Sequence, residues 1–102
     1  MEVSVKCEAR HICIRLSGEL DHHSAKGLLR RLDQEIEKAL PTQLTLDLSG
    51  VTFMDSSGIG VIIGRTKKLK YFNDSSVSVC NMSDRVDKLL KCAGIYTIVH
   101  KL

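Results

Sequence analysis

The 102-residue chain is 43% hydrophobic and 26% charged, with both signs mixed and a net charge of +3, which fits one compact domain and excludes a disordered tail. Its positive charge is scattered apart from Lys67, Lys68 and Lys70, with only Tyr71 and Phe72 beside them, so nucleic acid is not expected as a partner. No apolar stretch approaches the length of a membrane span and the Met-Glu-Val-Ser-Val-Lys start lacks a signal-peptide core, so a soluble cytoplasmic protein without membrane contact is expected.

Residues 3–8 and 12–17 alternate in period two around a short turn at Ala9, Arg10 and His11, which predicts two paired strands. Residues 18–21 then lead into a helix whose apolar stripe is Ala25, Leu28, Leu29, Leu32, Ile36, Ala39 and Leu40. Asp21 is its N-cap candidate, and Pro41 marks the exit. A strand over 44–48 follows, then a helix over 59–70 and a fourth strand over 77–80. Ser83 can cap a third helix carrying Val86, Leu89, Leu90 and Ala93, with Gly94 at its stop and a short last strand over 96–99. The order β-β-α-β-α-β-α-β predicts a single α/β domain over residues 1–102. Its sheet is mixed but mostly parallel, with about five strands and three helices, and the first two strands form an antiparallel pair.

Cys7, Cys13, Cys80 and Cys92 include no C-x-x-C pair and no metal-ligand spacing, so they read as buried structural thiols in a reducing compartment. Asp21-His22-His23 is no better a metal site. Adjacent residues on a helix point about 100° apart, and no second cluster supplies further ligands. These residues read as an exposed helix start or part of a binding surface.

The most informative segment is Asp55-Ser56-Ser57-Gly58, where a strand hands over to a helix. Backbone N–H groups are free at such a point and the helix dipole favours negative charge. A serine there is either a cap, with Ser56 as N-cap and Ser57 in the first turn, or a place to carry an anion such as a phosphate. The glycines at 58, 60 and 64 miss the dinucleotide fingerprint, which has two residues rather than three between its second and third glycines. Each glycine inside a helix costs about 1 kcal/mol relative to alanine, so close packing or a close partner is expected to offset it. A hydrolytic nucleophile would sit on Gly-x-Ser-x-Gly and need a nearby base; the segment lacks that motif, and His22 could approach only if the first helix began beside the second.

Residues 18–23, Gly-Glu-Leu-Asp-His-His, and residues 51–65, Val-Thr-Phe-Met-Asp-Ser-Ser-Gly-Ile-Gly-Val-Ile-Ile-Gly-Arg, resemble the anti-sigma factor antagonists of the STAS family, and the likeness covers the whole chain. The paired histidines resemble its sporulation branch more than its general-stress branch. The resemblance implies a STAS fold and a bacterial partner switch without enzymatic activity or a cofactor of its own. The unphosphorylated antagonist would bind an anti-sigma factor that is also a serine kinase, and so release a sporulation sigma factor. That kinase would use ATP to phosphorylate Ser56, and a PP2C-type phosphatase would remove the phosphate. The implied docking surface is Asp21, His22, Asp55, Ser56, Ser57, Gly58 and Ile59, on a chain that is monomeric when free. The alternatives are an antagonist from a stress or biofilm pathway, and a small nucleotide-binding or hydrolytic enzyme.

Overall fold

The computed structural model describes residues 1–102 apart from the side chains of Phe72 and Asn73, so the reading of Phe72 as a stacking aromatic lies outside the described residues. Strands β1 (Glu2–Glu8) and β2 (His11–Leu20) form an antiparallel hairpin, with Ala9 at φ +55° in the turn. Helix α1 (His22–Ala39), strand β3 (Gln43–Met54), helix α2 (Ser56–Asn73), strand β4 (Ser76–Cys80), helix α3 (Asp84–Cys92) and strand β5 (His100–Lys101) follow. The sheet order is β1-β2-β3-β4-β5, parallel from β2 onward. Strands that advance one place at each right-handed crossover leave all three helices on one face.

That face is apolar because of simple alternation. Ile12, Ile14 and Leu16 on β2, Leu44, Leu46 and Leu48 on β3, and Val77 and Val79 on β4 are all buried. They meet Leu28, Leu32 and Ile36 of α1, Val61, Ile62 and Leu69 of α2, and Val86 and Leu90 of α3 in one core. The opposite positions are polar: Cys13 and Arg15 on β2, Thr45 and Asp47 on β3, Ser78 and Cys80 on β4. Asp33 of α1 ties the two long helices together through Arg65 at 3.1 Å and Lys68 at 3.4 Å.

Four features differ from the sequence reading. Strands β2 and β3 run on to Leu20 and Met54, past their expected ends at 17 and 48. Two register shifts, between Arg15 and Ser17 and between Gly18 and Glu19, interrupt the alternation and hide the continuation. At the first shift a Cβ on Gly50 would lie 2.1 Å from Ser17 Oγ and 2.9 Å from the Leu16 carbonyl oxygen, so only glycine fits. Helix α2 begins at Ser56 rather than Ile59, and its N-cap is Asp55, not Ser56.

The expected last strand is instead a single 3-10 turn, Ile95–Thr97, and pairing with β4 waits until His100. Ile95 and Val99 are both buried and joined by the Val99 N–H donating to the Ile95 carbonyl, which is a helical spacing of four. Finally, the thiols are not buried. Cys7 and Cys92 are exposed, Cys13 and Cys80 half-buried, because the first pair lies on an edge strand and an outer helix face and the second on the polar face of the sheet. Burial, and then Asp47 and Cys13, push the Cys80 thiol up. No helix among the described residues is long and apolar enough to cross a membrane.

Candidate functional site

Because β2 and β3 are parallel neighbours with Leu20 opposite Met54, the chain leaves both strands at the same edge of the sheet. The Asp55 N–H donates to the Leu20 carbonyl at 3.3 Å and holds the two exits together. One residue beyond each strand stands an aspartate, and each caps a helix from an extended backbone: φ −115°, ψ −173° at Asp21 and φ −120°, ψ −169° at Asp55. Asp21 Oδ1 accepts from the N–H groups of His23 at 2.9 Å and Ser24 at 3.0 Å. Asp55 Oδ1 accepts from those of Ser57 at 2.8 Å and Gly58 at 3.4 Å. The Ser24 N–H bond, together with the one from the His23 N–H, holds the Asp21 carboxyl below the usual aspartate range. Two positive helix ends thus sit side by side.

The structure therefore places Asp21 and His22 at the same end of the sheet as Asp55, Ser56, Ser57, Gly58 and Ile59. Their roles divide. Ser56 is the first residue of α2 and is exposed; since Asp55 does the capping, the Ser56 hydroxyl has no hydrogen-bond partner among the described residues. Ser57 is half-buried. His22 is exposed, with the His23 ring edge-on to it at 6.0 Å between centroids. Ile59 is half-buried against the core.

Gly58 turns inward. A Cβ there would lie 2.2 Å from Leu20 Cδ2, 2.8 Å from Met54 Cγ and 3.1 Å from the Leu20 carbonyl oxygen. Its lack of a side chain lets α2 start directly on the two strand ends, and so sets the position of Ser56. Gly60 and Gly64 have nothing within 4 Å of an added Cβ, so close packing does not explain them. Gly60 lies one turn from Ser56 on the same side of α2 and keeps the surface beside the hydroxyl flat.

One neighbouring feature escaped the sequence reading. Phe53, three residues before Ser56, is 42% exposed at the tip of β3. With Met54 it floors an apolar groove of about 660 Å³ whose far wall is α3, through Arg85, Lys88, Leu89 and Cys92. The signal was present in the spacing 85, 88, 89, 92, a second helical stripe beside the core stripe of Val86 and Leu90.

The STAS domain family profile matches residues 2–102. The chain belongs to the STAS domain family. Among STAS relatives it is 36% identical over 88 residues to the anti-sigma F factor antagonist of Paenibacillus polymyxa, covering 86% of this chain and 74% of that protein. It is 31% identical over 99 residues to the anti-sigma-B factor antagonist of Bacillus subtilis, covering 97% and 88%. The structure of the Bacillus anti-sigma factor antagonist SpoIIAA shares this STAS fold. Its unphosphorylated form matches with a TM-score of 0.76 at 24% identity over 99% of this chain and 87% of that one. The phosphorylated form matches with a TM-score of 0.75 over 99% and 91%.

Proposed function

We propose that this STAS protein is an anti-sigma factor antagonist, a regulatory binding protein that catalyses nothing itself. In its unphosphorylated form it binds an anti-sigma factor that is also a serine kinase and so releases a sporulation sigma factor. The kinase supplies ATP and transfers phosphate to Ser56, and a PP2C-type phosphatase resets the switch in the cytoplasm. The antagonist itself is monomeric when free and holds no cofactor. The observation that carries this reading is the Ser56 hydroxyl, exposed at a helix N-terminus and without a partner among the described residues because Asp55 has taken over the cap. The 36% identity to an anti-sigma F factor antagonist supports the sporulation branch. The 31% identity to an anti-sigma-B factor antagonist supports the second reading, a general-stress pathway.

The physics of the switch follows from the site. A phosphoserine at position 56 adds about −1.5 to −2 charges at the positive end of the α2 dipole, which favours negative charge there. In the complex the same phosphate sits beside Asp55 in a packed interface and must be desolvated or displace the partner. A cost of about 3 kcal/mol weakens binding about 150-fold, enough to dissociate a complex. Asp21, His22, Ser57 and Ile59 surround the hydroxyl as docking contacts, and Gly58 holds α2 in place beneath them.

The deciding experiment mixes the purified chain with the anti-sigma kinase encoded beside it and ATP, then maps phosphate by mass spectrometry in wild type, Ser56→Ala and Ser57→Ala. Phosphate is expected on Ser56 and absent only from Ser56→Ala. Phosphate on Ser57, or none from a kinase active on another antagonist, sinks the assignment.

A further inference from the structure

The groove beside Ser56 has chemistry of its own. Phe53 and Met54 give it an apolar floor, and Leu89 and Cys92 continue that surface up α3. Phe53 spends 42% of its surface on solvent at the end of a strand whose other large side chains, Leu44, Leu46 and Leu48, are essentially buried. Folding alone does not require an exposed phenyl there, and such a patch rimmed by polar groups is the usual mark of an interaction surface.

The rim is cationic. Arg85 and Lys88 stand one turn apart on the groove side of α3, and neither makes an ion pair or hydrogen bond among the described residues. Lys101, near α3, differs in this respect: it is committed to Asp87 at 2.9 Å. The lining carboxylate, Asp84, occupies the first turn of α3, where the helix N-terminus already offsets its charge. The groove lining therefore carries two cations against one carboxylate around an apolar floor, and its complement is an apolar side chain beside negative charge.

Position names the partner. Phe53 and Met54 are continuous in sequence with Asp55 and Ser56, and α3 begins after β4 at the same edge of the sheet as α1 and α2. Any protein docked over the Ser56 hydroxyl reaches the groove mouth without a second interface. We infer that the groove between Phe53 and α3 is a specificity pocket for the anti-sigma factor, receiving an apolar side chain from it while Arg85 and Lys88 pair with adjacent carboxylates. This inference rests on the antagonist reading and deepens it: Ser56 acts as the switch, and the groove selects which anti-sigma factor is recognised.

The test measures affinity by titration calorimetry between the full chain and the same anti-sigma kinase, for wild type, Phe53→Ser, the double variant Arg85→Glu/Lys88→Glu, and Ser56→Asp. Thermal denaturation of each variant checks the fold; the charge variant lies wholly on the surface, so it remains informative if Phe53→Ser is unstable. Phe53→Ser is expected to weaken binding about 30-fold. The charge reversal should weaken it about tenfold or more, chiefly through slower association, and should flatten its salt dependence. Wild-type affinity in both folded groove variants, with binding lost in Ser56→Asp, overturns the pocket and leaves the switch standing. Failure of the wild type to bind the kinase overturns both. A concentration-dependent dimer that Phe53→Ser abolishes, with kinase affinity unchanged, overturns the pocket in favour of a second copy of this chain.

Discussion

The starts of α1 and α2 are built on one plan and finished differently. Each follows a parallel strand, each is capped by an aspartate with nearly the same dihedral angles, and the two lie against each other through the Asp55–Leu20 bond. The first residue is His22 in α1 and Ser56 in α2; the third is Ser24 in one and Gly58 in the other. In α1 the Ser24 hydroxyl is fully committed: it accepts from the Asp21 N–H at 3.1 Å, closing a capping box, and donates to the Glu19 carbonyl at 2.7 Å. In α2 no third-residue side chain exists to close the box, and the Asp55 N–H turns to Leu20 instead. One helix start is closed on itself. The other leaves a hydroxyl facing outward over a glycine that is packed tight.

The most damaging way to break this contrast is to give α2 the third residue of α1. Gly58→Ser would supply a capping-box hydroxyl, but its Cβ would lie within 3 Å of both Leu20 and Met54 side-chain atoms and 3.1 Å from the Leu20 backbone. Overpacking of this kind costs about 1–3 kcal/mol, which exceeds what a second capping bond returns. Urea denaturation should show a lower midpoint, and kinase affinity should fall with it because α2 moves off the strand ends. A variant as stable as wild type would mean that the close approach at Gly58 does not set the position of Ser56.

The reverse exchange is milder. Ser24→Gly leaves the Asp21 N–H without its acceptor and places a glycine in the first turn of α1. The expected loss is about 1–1.5 kcal/mol, read by the same denaturation experiment. Phosphate transfer to Ser56 should be unaffected, since α2 keeps its own cap. A change in phosphorylation rate larger than the change in stability would show that the two helix starts act as one unit rather than as neighbours.

The contrast also marks where sequence reasoning stops. Strands 12–17, 44–48 and 77–80 were legible because one face is buried and period two survives over most of their length. The last turns of β2 and β3, which carry the site, were not, because two register shifts place two residues opposite one and erase the period. Asp55 and Ser56 are both good N-cap residues, so composition could not choose between them; in the fold the Asp55 carboxylate takes the cap, with Gly58 seated on Leu20. The position of Ser56 was legible through its motif, but the freedom of its hydroxyl was not. Phe53 carries no signal of its own: the interrupted period buries Val51 and Met54 on either side of it and leaves its ring exposed.

The smallest effect expected is a titration. Hydrogen bonds from Ser24 and His23 hold the Asp21 carboxyl below its ordinary value of 3.8, so the folded state binds that proton less readily than the unfolded chain. The sign follows: the stabilisation is complete above about pH 4 and is lost as pH falls through the lowered value. Asp87, lowered by the Tyr96 hydroxyl and Lys101, adds to the same acid limb from the far side of α3. Asp21→Asn keeps a competent cap that does not titrate, so its stability should fall less steeply than that of wild type below pH 4. Thermal denaturation from pH 2.5 to 6 separates the two. Parallel acid limbs for wild type and Asp21→Asn would mean that the capping box contributes geometry to α1 without a measurable electrostatic share.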